Sequence, residues 1–430
     1  MTRRNATLSI LLALVALAAA GGYYAYEHRM PRFDMRQVTD YYRKLKVREA
    51  QPVATGAVRG GIVAGLGYVK SHTLPSGQFV YAVNLNPAVK VEPGYNMLRH
   101  AGAIYAIKLA NAVVPDPQAV EVMQRSTRFM RDCCFAEVDG KGTGMWEPPA
   151  LTHSKSPQTY KLGGVGLAIV ALASTESVRP GATTAAEMQG FAKFGRQFMK
   201  WNGEFGPRYV PSKGGLQTSG DVLYYPGEMV LGWMALYERH PAPELMQWSL
   251  DALMRLARER AAAGTAPADH WSLLATADVF RLAARDKVEI PRDVLTNHAV
   301  LICHTILEAA YAPAEMPIME GALVRRGDAV TTSARLEGLL AALTFLPPDH
   351  PIVPHVKAAA HRAMAFLLRA QVKDGPHAGG MPLAITTLST DFGGDTRKFN
   401  EDATRIQIDH FQHSVSAMSR YLALRDEGVL

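Results

Sequence analysis

At 430 residues, 48% hydrophobic and 20% charged, the chain has room for two or three average domains or one large toroid, and its balance excludes a fibrous or largely disordered protein. The 46 Lys and Arg against 39 Asp and Glu leave a formal charge of +7. These basic residues are scattered, and no helix-turn-helix, zinc-finger or RNA-binding signature accompanies them, so nucleic acid is not an expected partner.

In chain order, residues 1–30, "MTRRNATLSILLALVALAAAGGYYAYEHRM", place Arg3 and Arg4 before an apolar run from Leu8 to Tyr26. That is the pattern of an export signal. Ala18-Ala19-Ala20 offers a small-residue cleavage site, whereas a run approaching the roughly 20 residues that span a bilayer, followed by Tyr23, Tyr24 and Tyr26, suits a retained anchor in an inner membrane. In either case the remainder is expected on the periplasmic side, anchored or released. Residues 31–54 read as a linker or lead-in helix, and 55–430 as the catalytic domain.

Beyond the lead-in, amphipathic segments recur, each ending in a glycine turn at Gly77, Gly140, Gly203, Gly264, Gly321 and Gly375. The intervals are 63, 63, 61, 57 and 54 residues, a period that points to stacked supersecondary units. "GQFVYAVNL", from Gly77 to Leu85, is the one alternating run that suggests a short strand. After each turn comes a second, more uniformly apolar helix: "YNMLRHAGAIYAIKLA" from Tyr95, "YKLGGVGLAIVALAS" from Tyr160, "YYPGEMVLGWMALYE" from Tyr224, "DHWSLLATADVFRLA" from Asp269, "TTSARLEGLLAALTF" from Thr331 and "IDHFQHSVSAMSRYLAL" from Ile408. A helix apolar all round must be buried and one apolar on a single stripe faces water. Alternating the two predicts an all-α (α/α)6 toroid, six inner helices within six outer ones. An open solenoid would have even loops; these vary from a few residues to more than 30. Gly163 to Gly166, "GGVG", lies inside a helical pattern with no preceding strand, so it reads as helix packing rather than as a phosphate loop.

The three cysteines are too few for a disulfide scaffold and lack metal-site spacing. Adjacent cysteines rarely pair because the geometry is strained. The expectation is therefore either a bond from Cys133 or Cys134 to Cys303, or three buried small apolar residues.

The starts of the inner helices carry residues that an apolar ring does not require. They are Tyr95, Arg99 and His100; Lys161; Tyr224, Tyr225 and Glu228; Asp269, His270 and Trp271; Arg335 and Glu337; Asp409, His410 and His413. In a toroid they converge on one mouth, where aromatic faces stack sugar rings and charged groups bind hydroxyls or acidic substituents. Six hairpins with such a rim resemble the six-hairpin glycosidase-like superfamily over nearly all of residues 55–425. The resemblance is architectural, with no single family's motif matched, and it implies a glycoside hydrolase, a polysaccharide lyase or a sugar epimerase acting on a polysaccharide or oligosaccharide.

Hydrolysis needs one protonated and one ionised carboxyl group. Glu228 and Asp269 are the favoured pair, with Glu337 third. The remaining rim residues are assigned to substrate binding. Asp269 also suits a helix cap, and Glu337 a partner for Arg335 or Arg99. His410 and His413 share a helix face, but no third ligand follows, so neither a metal nor another cofactor is expected. The rival expectation is a non-catalytic glycan- or protein-binding component of an envelope polysaccharide assembly.

Overall fold

Helices alternate along the chain between two concentric sets. The computed structural model describes residues 35–91, 94–220, 223–311, 316–392 and 396–430. The expected signal or anchor at 1–30 lies outside them, and among the described residues no helix is long and apolar enough to cross a membrane. The lead-in helix α1 (Met35–Lys44) precedes the first hairpin. The outer helices are α2 (Thr55–Ser71), α4 (Pro117–Cys134), α7 (Ala185–Arg196), α9 (Pro243–Ala263), α11 (Arg292–Tyr311) and α13 (Val353–Ala370). The inner ones are α3 (Met97–Val113), α6 (Leu162–Val178), α8 (Tyr225–Arg239), α10 (His270–Asp286), α12 (Ala329–Ala342) and α15 (Ile408–Asp426). Two minor helices, α5 (Pro149–Thr152) and α14 (Thr396–Asp402), lie in loops.

Hydropathy decides which set a helix joins. In α6 every residue from Leu162 to Thr175 is buried. In α4 only a stripe is buried, including Ala119, Val122, Met123, Ser126 and Met130, at the three-to-four spacing of one helix face. Local chemistry sets the starts: Asn96 accepts from the backbone of Leu98 and Arg99, Thr184 and Glu187 form a capping box, and Asp328 accepts from Thr331.

Each inner helix packs on the next, and α15 packs on α3, so the ring closes. Inner helices come close where side chains are absent: a Cβ on Gly232 would lie 2.5 Å from the Gly166 carbonyl oxygen. All six predicted glycine turns have left-handed backbone, φ between +68° and +93°. The loops after the outer helices also dock on the next outer helix. A Cβ on Gly77 would lie 2.2 Å from the Arg125 carbonyl, and Gly142, Gly203 and Gly321 make the same kind of approach to Gly190, Asp251 and Arg362. The series ends with Gly379 against Ala64 on the first outer helix, at 1.9 Å.

The inner-helix starts are framed by short strands, the first of them within the alternating run from Gly77 to Leu85. β1 (Ala82–Asn84) pairs antiparallel with β7 (Arg405–Gln407), Val83 opposite Ile406, joining the first hairpin to the last. β2 (Phe135–Glu137) pairs with β3 (Thr143–Met145), and β4 (Tyr160–Lys161), β5 (Arg208–Val210) and β6 (Gly215–Gln217) form a three-stranded sheet.

The cysteine expectation is corrected. Cys133 and Cys134 are bonded to each other at the end of α4, and Cys303 is buried and unbonded.

Candidate functional site

The six inner helices begin at one end of the ring, and their first turns assemble a polar rim that pairs residues as distant in sequence as Arg99 and Asp409. Three groupings emerge around it.

On the first and last inner helices, the Arg99 Nε lies 3.1 Å from Asp409 Oδ2 and Arg99 Nη1 donates to the Tyr81 hydroxyl at 2.7 Å. Asp409 also accepts from Gln407 at 2.9 Å. Burial opposes ionisation of Asp409, yet His410 and Arg99 outweigh it and hold the carboxyl below its usual range. Burial keeps His410 itself neutral, so at neutral pH the Arg99 guanidinium carries that effect.

The second grouping centres on Glu228. Its side chain is buried, 6% exposed, and Oε2 has no hydrogen-bond partner. Space for it exists because position 163 is glycine: a Cβ there would lie 1.8 Å from Oε2. Burial, reinforced by Asp269, pushes the Glu228 carboxyl up to about 8 against the pull of Lys161. Lys161 Nζ meets Glu147 Oε2 at 2.7 Å, and Glu147 Oε1 accepts from the Met97 backbone at 3.1 Å, capping the first inner helix. Tyr225 packs beside Gly163 and lines the same sector.

The third grouping contains two imidazoles in contact. The rings of His270 and His413 have centroids 5.2 Å apart at 80° to each other. His413 Nδ1 lies 2.9 Å from Glu337 Oε1, a hydrogen bond that fixes the ring. Glu337 is fully buried, and burial pushes its carboxyl up against the pull of His413 and Arg420. His270 is held well below the usual histidine range by burial, then by His413 and Arg335, and its Nε2 has no hydrogen-bond partner. Tyr224 and Trp271 each pack against His270 with centroids 5.1 Å away, and Tyr224 is 39% exposed, leaving an aromatic surface at the rim. Arg335 Nη1 donates to the Leu323 carbonyl at 2.6 Å rather than pairing with Glu337.

Four predicted site residues belong to the framework instead. Asp269, expected as half of a carboxylate pair with Glu228, has no exposed surface. Its Oδ2 takes Arg260 Nη2 and the Ser272 hydroxyl, each at 2.6 Å, while Oδ1 caps the Ser272 backbone. With both oxygens engaged it serves as a helix cap and half of a buried ion pair. His100 spends both ring nitrogens, on the Tyr95 hydroxyl at 2.8 Å and the Ser126 carbonyl at 2.9 Å, and the Tyr95 hydroxyl also accepts from the Phe79 backbone at 3.1 Å. His410 is buried with Nδ1 3.1 Å from the Met381 carbonyl, which separates it chemically from His413. Conversely, Tyr81 and Glu147 were not singled out from sequence. Glu147 sits in a loop before Pro148-Pro149, and its only local signal is a carboxylate placed ahead of a helix start.

The rim thus contains a protonated carboxyl, an ionised carboxylate and a carboxylate-oriented imidazole touching a neutral one. Such divergent environments are how acid and base roles are divided.

No family model matches the chain, and no curated relative does. Solved structures do resemble it in shape. Cellobiose 2-epimerase from Spirochaeta thermophila is 14% identical, with a TM-score of 0.61 over 86% of this chain and 98% of its own. A D-mannose isomerase gives 10% and 0.60 over 86% and 97%, and a GH76 alpha-mannanase from Bacteroides thetaiotaomicron 11% and 0.53 over 86% and 96%. The chain has the six-hairpin glycosidase-like (α/α)6 toroid fold, as its helical period implies.

Proposed function

We propose that this chain is a glycan-active enzyme that moves a proton at a carbon adjacent to a sugar carbonyl, an epimerase or isomerase of an oligosaccharide or polysaccharide end. The observation that carries the reading is the His270–His413 contact with Glu337 on His413 Nδ1. With Nδ1 engaged, His413 keeps Nε2 for proton transfer, and the neutral His270 offers an unpartnered Nε2 beside it. One imidazole takes the proton from the carbon and an enediolate forms. The proton then returns either to the opposite face of that carbon, inverting it, or to the neighbouring carbon while the hydroxyl proton passes between the two enediolate oxygens, moving the carbonyl. Glu228, kept protonated near neutral pH, is suited to hydrogen-bond the developing oxyanion. Tyr224 and Trp271 supply stacking surface. Two proteins that share the fold, a cellobiose 2-epimerase and a D-mannose isomerase, support this chemistry.

The test is incubation of the full chain with neutral and acidic oligosaccharides in heavy water, followed by mass spectrometry of the recovered sugar. Deuterium at one carbon is expected, and His270→Asn and His413→Asn should each reduce it roughly 100-fold or more, within the range of lost acid–base catalysis. Sugars that come back unlabelled but shortened would replace this reading with hydrolysis, in which Glu228 is the acid and Asp409, held ionised by Arg99, the base.

The export pattern at residues 1–30 supports a site of action on the periplasmic side of an inner membrane, either anchored or released. Cell fractionation, with the chain recovered from membrane or periplasmic material, checks it.

A further inference from the structure

At the end of the ring opposite the rim, the C-terminal halves of the inner helices enclose a cavity of about 690 Å³. Its charged and phenolic lining comprises Tyr105 and Lys108 on α3, Glu238 and Arg239 on α8, Asp278 and Arg281 on α10, and Arg420 on α15, with the His240 imidazole beside them. The two acids are already spent: Arg281 meets Glu238 at 2.6 Å and Asp278 at 2.9 Å. Three cations are left over, Lys108, Arg420 and Arg239, the last at the end of α8 with its buried Nε unpartnered. Among the described residues the Lys108 ammonium makes no hydrogen bond or ion pair, and Arg420 reaches the Tyr105 hydroxyl through Nη2 while its buried Nε has no partner.

Uncompensated charge in a half-enclosed, partly apolar pocket is costly, and Val170 and Leu231 make part of this wall apolar. Burial is the main force lowering the Lys108 pKa; Asp278 and Glu238 pull it up, while Arg420 and Arg281 push it down. Helix-dipole complementarity does not account for Lys108 and Arg420. That effect is confined to the last turn, where it suits Arg239 on α8; Lys108 and Arg420 stand more than one turn before the ends of α3 and α15. A bound anion would satisfy both cations at once.

We propose that this cavity is a binding site for a small organic anion whose phosphate or carboxylate group lies between Lys108 and Arg420. It lies at the opposite end of the ring from the rim, with Arg420 facing the cavity while also acting electrostatically on Glu337. Its polar wall also includes Ser174 and Ser177, hydroxyls suited to the remainder of a hydroxylated ligand.

The experiment is calorimetric titration of the full chain at low ionic strength with two probes, inorganic phosphate and glucuronate. Saturable binding of at least one probe, at one site per chain, is expected, and whichever binds more tightly identifies the anionic group. Lys108→Met, which keeps the aliphatic stem, should weaken it at least tenfold. Ala235→Phe, which fills the cavity from α8, should abolish it. His270→Asn at the opposite end should leave it unchanged. The proposal is overturned if neither probe saturates, if binding survives both cavity variants, or if His270→Asn removes it.

Discussion

Glu228 occupies a slot made by the missing side chain at Gly163, with one carboxyl oxygen unpartnered. Raised from 4.5 to about 8, the group binds its proton more tightly in the folded chain than in the unfolded one. Its contribution to stability is therefore complete below about pH 4.5 and is lost as pH rises through about 8. At roughly 1.36 kcal/mol per unit the whole effect amounts to a few kcal/mol. Glu228→Gln should flatten the profile, with its thermal midpoint gaining on wild type as pH rises from 5 to 9; parallel profiles for the two chains would contradict the assignment. Glu337→Gln, by contrast, should act on turnover, reducing deuterium incorporation roughly 100-fold while circular dichroism stays unchanged. That Glu228 and the histidines belong to one rim was legible from their places at the starts of inner helices. That Asp269 is consumed by Arg260, or that Glu337 holds His413 across 76 residues, was not, because hydrogen-bond saturation is a property of packed partners.

Among the elements, the turns show why the fold was legible. A glycine ending an amphipathic run marks a left-handed turn, and all six expected positions have that backbone. What the pattern did not reveal is which glycines are also needed for close approach. At Gly375 a Cβ meets nothing within 4 Å, whereas at Gly379 it would strike Ala64 of α2. Gly375→Ala should therefore cost only the backbone term, about 1–2 kcal/mol, and Gly379→Ala about 2–4 kcal/mol, since helix and turn must separate. Urea midpoints of the two variants measure the difference; equal losses would show that the docking is soft. β1 lies within the alternating run from Gly77 to Leu85, but the other strands escaped sequence reading because two or three residues carry too little alternation to register.

At the scale of the whole molecule, closure makes the last hairpin as central as any other. α15 is the neighbour of both α12 and α3, and β7 is the partner of β1. Removing residues 396–430 should thus not leave a stable array of five hairpins, as loss of a terminal unit can in a solenoid. Far-UV circular dichroism should instead show a broad, non-cooperative melt, and a sharp transition near the wild-type temperature would mean that the ring tolerates an opening.

The meeting of Gly379 with Ala64, and of Asn84 with Thr404 some 320 residues away, also imposes a timetable on synthesis. The first outer helix emerges early but acquires its final neighbour only when nearly the whole chain has been made, on the order of tens of seconds later at ribosomal speeds. In that interval the apolar flanks of the early hairpins lack their permanent cover. The finished toroid hides its edges by joining them, and the nascent chain can do so only once its two ends meet.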